Sequence, residues 1–459
     1  MSLVSISFLF FLLPAALVCF YAVPAEKNAL RGASLLAFSL LFVFLVQPKA
    51  LAGALATCAV CYACGAGISR AKTQAARRAW CVSGIVLCVG ALCVYKYAAL
   101  LASVFGVTIT PPGAPAGVSF FTFLAVSYLV DVARGACAAE RNPAKLALYF
   151  TAFPKFLQGP LTRYGALQAD LSPARPGWDT AARGAERVCV GLGKKLLLAT
   201  AAQGAAEKLL DTSAVSCPAA WLGAACYALQ IYFDFSGYTD MAIGLGALFG
   251  LNLPENFNGP YCAQSITGFW RRWHMTLSQW FRDYIYIPLG GSRRGKPRQI
   301  VNLLIVWALT GLWHGASWNF ALWGLYFAAL LIVEKFVLAK LLDRLPAFFR
   351  HVYALFFILL GWVLFRTEDF SQLAALLRTL FTGGTAVTAE PFVFVLRQYG
   401  IELLLGALLC TPLGKRLLEA LDRTRFGRMV KYVLLLAIFA LALLALVRSG
   451  VNAFIYAQF

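Results

Sequence analysis

Charge is what this chain has least of. Asp, Glu, Lys and Arg together make up 13% of its 459 residues, while apolar types make up 61%. A soluble globular domain carries about 25% charged and about 45–50% apolar residues. The apolar excess falls in runs long enough to cross a bilayer, which excludes a soluble fold and predicts an all-α polytopic membrane protein. Acids are scarcer still, 20 against 40 bases, for a net charge of +20. The bases cluster in short loops at 68–78, 292–298 and 415–431 between apolar runs, the pattern of cytoplasmic membrane loops. Nucleic acid is therefore not expected as a partner, and membrane lipid is.

Three further scarcities narrow the chemistry. Only three histidines are present, His274, His314 and His351. Together with Asp234 and Asp240 they form no compact ligand set such as HExxH, so no metal is expected. The thirteen cysteines include one CxxC, Cys61 and Cys64, with neither a second pair nor a nearby histidine. They read as small apolar packing residues. Met1 to Phe20 lacks a basic n-region and a small-residue cleavage site before Pro24, and reads as a retained first helix rather than a signal peptide. No internal repeat is visible, which counts against a transporter built from inverted halves.

Apolar runs lie at 3–22, 32–46, 51–67 and 80–105, with the N-terminus outside if the basic loop at 68–78 is cytoplasmic. A Pro/Gly breaker precedes the run at 118–135. Residues 145–157 are apolar but too short to span, which suits a re-entrant or interfacial element. A Pro- and Arg-rich loop is expected over 170–187. The run at 218–235 ends at Asp234, with Gly237 a candidate helix break and Asp240 beyond it. Residues 269–285 read as one interfacial helix with His274, Ser278 and Arg282 on a shared face. Later runs lie at 300–313, 318–336, 350–365, 396–412 and 432–447, for a total of roughly ten to twelve helices by length. We divide the single membrane domain 1–459 into N-terminal helices (1–105), a catalytic core (106–336), C-terminal helices (337–449) and an extracytoplasmic tail (450–459).

The candidate chemistry concentrates in 228–325. His314 lies within Leu303 to Leu325, which holds no Asp, Glu, Lys or Arg. An ionisable group at that depth is a functional candidate. A neutral imidazole can serve as general base; the other reading is a packed histidine bonded to a helix carbonyl. Gly311 and Gly315 would leave room beside the ring, with Trp313, Trp318 and Asn319 around it. His274 shares its segment with Arg271, Arg272, Arg282 and Asp283. That is either a lipid-phosphate anchor or a mouth for a phosphate-bearing donor, since Arg pairs with phosphate in a fork. His351, beside Arg350, reads as interfacial. The terminal FIYAQF is an aromatic anchor, or Tyr456 is a hydroxyl on a thin chain end able to carry an acyl ester.

Three long stretches carry a resemblance. They are FDFSGYTDMAIGLGALFGLNLPENFNGPY, SITGFWRRWHMTLSQWFRDYIYIPLGG and GLWHGASWNFALWGLY. With VSFFTFLAVSYLVDVARG and FPKFLQGPLTRY, they resemble the membrane-bound O-acyltransferase (MBOAT) family. The similarity is to its bacterial branch, whose members act on alginate, peptidoglycan or teichoic acid. The resemblance implies a ring of helices around a tunnel, with His314 inside it and His274 near the donor entry. It implies Arg271, Arg272, Ser278, Arg282, Trp313 and Asn319 toward the substrate, and Asp234, Tyr238, Asp240 and Asn256 as structural or tunnel-lining residues. It further implies acetyl-CoA as donor substrate with no bound cofactor, and Tyr456 as acyl relay. An extracytoplasmic SGNH-type transferase or a polysaccharide would be the acceptor. A carrier-protein-dependent D-alanyl transferase is the alternative.

Overall fold

The structure, a computed structural model, describes residues 1–110, 112–211, 215–382 and 390–449. These are helical with no strand, as composition dictates. Six helices are long and apolar enough to cross a membrane: Asn28–Val46, Pro48–Arg70, Gln74–Val104, Ala347–Arg366, Glu390–Leu409 and Arg425–Arg448. A shorter apolar helix covers Phe8–Ala22. The remaining helices are shorter or less apolar. The protein is thus a multi-pass membrane protein. Several helix starts are written locally. Pro48 opens one helix at its first turn, and Asn142 caps another by accepting from Ala144 N–H at 2.9 Å, with Pro143 next.

The described chain forms two compact units, residues 1–188 with 238–255, and residues 189–237 with 256–448. The first unit has an aromatic core in which Phe8 meets Phe42 and Phe153 edge-on, and Phe249 meets Phe20 and Phe153 likewise. Arg31 is fully buried in it and donates to Pro24 O, Pro173 O and Asn28 Oδ1 at 2.8–3.0 Å. Its charge is thereby dissolved in carbonyl dipoles. Arg187 clamps two acids, reaching Asp240 Oδ1 from Nε and Nη2 (3.0 and 2.9 Å) and Glu255 through both carboxylate oxygens (2.6 Å each). Tyr238 is buried with its hydroxyl against the backbone of Leu157 and Gln158.

Two sequence expectations fail in this region. A helix, Trp178–Gly193, begins inside the segment expected as a loop, and its polar face supplies Arg187. Gly237 does not break its helix, which runs unbroken from Cys217 to Leu248. The glycine serves close approach instead. A Cβ there would stand 2.8 Å from Gly191 O and 3.1 Å from Lys195 N. That proximity lets Lys195 pair with Asp234; both side chains are almost wholly buried.

The second unit is built on the hairpin of helices Lys296–His314 and Trp318–Val333. Gly311 and Gly324 face each other in it: a Cβ on either would stand 2.3 Å from a carbonyl oxygen of the other helix, Phe320 O or Trp307 O. Small residues at a crossing let helices approach this closely in membranes. A Cβ on Gly315 would strike the Phe320 ring at 2.3 Å. The space at Gly311 and Gly315 is therefore filled by Phe320 and does not open around His314, contrary to the expectation. Asn319, fully buried, donates to Phe365 O at 3.2 Å and ties the hairpin to helix Ala347–Arg366.

Candidate active site

The segment expected as a single helix over 269–285 is two short helices, Ile266–Trp270 and Met275–Phe281, followed by a wide turn at Arg282–Tyr286. The break falls at His274, which has φ 43° and ψ 54°. It is the one non-glycine residue with positive φ among the described residues. Backbone competition explains the break. Met275 N–H donates to Asn256 O (3.0 Å), and Thr276 N–H to Asn256 Oδ1 (3.2 Å). Arg272 O accepts from Asn258 N–H (3.0 Å). The loop at 256–258 thus takes up groups that a continuous helix would pair internally. A left-handed conformation in a residue with a Cβ persists only where the surroundings over-determine it, and it concentrates at functional sites.

The start of helix Ile266–Trp270 is fixed as firmly. Ser265 Oγ accepts from Gly268 N–H at 2.8 Å. Glu334, 5% exposed at the end of helix Trp318–Val333, accepts from the backbone of Ile266 (2.6 Å) and Thr267 (2.9 Å). A carboxylate on the free N–H groups of a helix start is the favourable placement of charge. His351 is half-buried, and its Nδ1 meets Ala263 O at 3.0 Å, pinning the preceding loop.

These supports surround a cavity of about 580 Å³, within the range of about 300–1,000 Å³ usual for small-molecule sites. His274 and His314 both line it, as do Arg271, Ser278 and Arg282. Trp270 and Trp307 supply apolar wall, with ring centroids 4.7 Å apart. Both histidines are buried, His274 2% and His314 5% exposed, whereas Arg271 and Arg282 are exposed. Trp313 lies between the imidazoles, 4.6 Å from His314 and 5.9 Å from His274 by ring centroids. Trp323 and Phe365 meet His314 edge-on at 5.0 Å each. Burial pushes the His274 imidazole down to about 3, so the ring is neutral near pH 7. The arrangement gives two imidazoles in an apolar, tryptophan-walled chamber with guanidinium groups at its exposed rim.

The predicted residues therefore divide. His274, His314, Arg271, Ser278 and Arg282 come together at the cavity, with Trp313 between the rings. Arg272 is exposed outside the lining set, and Asn319 acts as a tie between helices. Asp234 and Asp240 are occupied by Lys195 and Arg187. Asn256 lies behind His274. Tyr456 falls outside the described residues. Sequence reasoning missed Glu334, Lys195 and Arg187. Glu334 carried a signal, an acid closing an apolar helix; the other two pair with partners 39 and 53 residues away.

Apolar helices of membrane-crossing length, with two buried histidines lining one cavity, define an integral-membrane protein with a candidate active site. The profile of the MBOAT, membrane-bound O-acyltransferase family, matches residues 118–367, and the chain belongs to this family of O-acyltransferases. It is 37% identical over 390 residues to the probable alginate O-acetylase AlgI of Azotobacter vinelandii, covering 82% of this chain and 77% of that one. It is 31% identical to the peptidoglycan O-acetyltransferase of Helicobacter pylori, over 68% of this chain and 66% of the relative. It is 30% identical to the teichoic acid D-alanyltransferase of Bacillus subtilis, over 48% and 58%.

Proposed function

We propose that the chain is the membrane half of a system that O-acetylates a cell-surface polysaccharide, drawing acetyl groups from acetyl-CoA. The single observation that carries this is the shared cavity: two buried imidazoles inside, guanidinium groups at the rim, and room for a thioester arm between tryptophans. The higher identity and coverage toward proteins named for O-acetylation favour acetyl over D-alanyl as the group moved.

The phosphates of acetyl-CoA rest against Arg271 and Arg282 on the cytoplasmic side of a bacterial inner membrane. The pantetheine arm enters the cavity and brings the thioester to His314. Tyr456, on a tail lying outside the membrane with the N-terminus, supplies the nucleophile. His314 removes the phenol proton as the tyrosine oxygen attacks the thioester carbonyl. The tetrahedral adduct expels the CoA thiolate, which takes the proton from His314. The products are an O-acetyl-tyrosine ester and CoA thiol. A phenol of pKa about 10 needs such a base near neutrality. The ester then passes to an extracytoplasmic SGNH-type transferase or directly to a glycan hydroxyl.

Mass spectrometry of the purified protein after incubation with acetyl-CoA tests this. The expected result is one acetyl group on the C-terminal peptide at Tyr456, absent in His314→Ala. Full glycan acetylation by Tyr456→Phe overturns the relay. Modification that requires an acylated carrier protein and fails with acetyl-CoA overturns the donor.

A further inference from the structure

We propose that Asn256 is a positioning residue that fixes His274 as its Nδ1–H tautomer, so that Nε2 meets the substrate as a hydrogen-bond acceptor. The proposal deepens the acyl-transfer reading and rests on it for the identity of the substrate; the tautomer itself does not.

Asn256 Oδ1 receives the backbone N–H of Thr276 at 3.2 Å and the Thr276 hydroxyl at 2.9 Å. A backbone N–H can only donate, so this atom of the amide is its carbonyl oxygen and not its NH₂. His274 Nδ1 lies 3.1 Å from the same oxygen. An amide oxygen has no proton to give, so the proton of this bond sits on Nδ1. A neutral imidazole carries one N–H, which leaves Nε2 as a bare lone pair. Nε2 is buried and has no partner among the described residues.

The frame behind the ring is rigid. Asn256 is fully buried and its backbone oxygen also accepts from Met275 N–H at 3.0 Å. Asn256 therefore grips the two residues that follow the left-handed turn as well as the ring. Phe235 closes one side edge-on at 4.7 Å, and Trp313 stands at 5.9 Å on another. Asn256 does not line the cavity, whereas His274 does. It acts through the histidine.

The consequence concerns what His274 recognises. A bare Nε2 repels a phosphate oxygen and cannot serve as its donor. It accepts from N–H or O–H, which the substrate offers in the secondary amides of the pantetheine arm and in the nucleophile hydroxyl. Phosphate contact falls to the guanidinium groups alone.

With three histidines in the chain, ring-¹⁵N labelling yields three imidazole signal sets, and His274→Gln assigns the one of interest. The expected spectrum of the resting full-length protein in lipid has His274 with a protonated Nδ1 and an unprotonated Nε2. A His274 protonated at Nε2, or at both nitrogens at neutral pH, overturns the proposal whether or not acetyl-CoA is the donor. An Nε2 signal that moves on addition of CoA or of an acceptor hydroxyl supports its role as acceptor for a substrate N–H or O–H; one that moves with neither overturns that role. Kinetics give the second test. Asn256→Leu, which keeps the volume and removes the acceptor, should lower kcat about 10–100-fold, the usual loss when the partner orienting a functional histidine is removed. KM should hold. Asn256→Asp retains an acceptor oxygen and should recover most of the rate. Equal loss of kcat in both variants, in protein that remains folded, would reduce Asn256 to a packing role.

Discussion

Asp234 and His274 are buried to nearly the same degree, 1% and 2% exposed, and both stand in polar motifs flanked by apolar sequence. Their surroundings treat them in opposite ways. Asp234 is paired with Lys195, and neither side chain is more than 3% exposed. His274 is answered on one nitrogen only, and the residue faces a cavity. Asp240 is likewise held by Arg187, and His314 lines the same cavity as His274. Burial of an ionisable group marks it as significant in a membrane protein. Whether it is buried against a counter-charge or lines a cavity separates the residues assigned to the fold from the candidates for chemistry.

The largest effect that would test this division is at His314. His314→Ala should lower the rate of CoA release from acetyl-CoA by about 10²–10⁴-fold, the usual worth of general-base catalysis. Thermal unfolding in detergent should change little by comparison. A variant that unfolds but retains its rate per folded molecule would move His314 to the structural side.

The ion pair should respond in the reverse sense. Lys195→Met alone leaves Asp234 as an uncompensated buried charge, at a cost of about 3–5 kcal/mol. The double variant Lys195→Met/Asp234→Leu removes both charges at similar volume and should return close to the parent in unfolding temperature and turnover. A double variant that is stable but inactive would place Asp234 with the histidines.

Arg187 offers a milder version. Its side chain is 30% exposed, and its partners Asp240 and Glu255 are 13% and 55% exposed. Charged hydrogen bonds contribute about 1.5–3 kcal/mol each when buried, and solvent screening reduces that. Arg187→Gln should lower stability by about 1–2 kcal/mol, with KM for acetyl-CoA unaltered.

The division was only half legible in the sequence. The absence of charge within Leu303–Leu325 was enough to single out His314, and the Arg-rich segment was enough to single out His274. Helical periodicity then misled, because it assigns 269–285 to one face-sharing helix. No Gly or Pro announces the break at His274; the competing hydrogen bonds come from Asn256 and Asn258, outside any local window. Gly237 and Gly311 misled likewise. A glycine reads as a break or a gap, and here both are points where another stretch of backbone presses in. Long-range partners have no periodic signature, so Lys195 and Arg187 could be read only once the chain was folded.

The smallest effect is expected at Arg282, and it sharpens the distinction between binding and chemistry inside the cavity. Arg282 is largely exposed, bonds Asp283 Oδ1 through Nε at 2.8 Å and lines the cavity. On the proposed acetyl-CoA reading, an exposed cation of this kind would attract the donor's phosphates equally in the ground state and the transition state. Uniform binding of that sort raises KM when lost and leaves kcat in place. Arg282→Gln should therefore raise KM for acetyl-CoA severalfold, and the difference from the parent should shrink at about 1 M salt, where the Debye length falls to about 3 Å. A fall in kcat that salt does not touch would instead put Arg282 beside the reacting thioester, and the boundary between rim and chamber would have to be drawn further out.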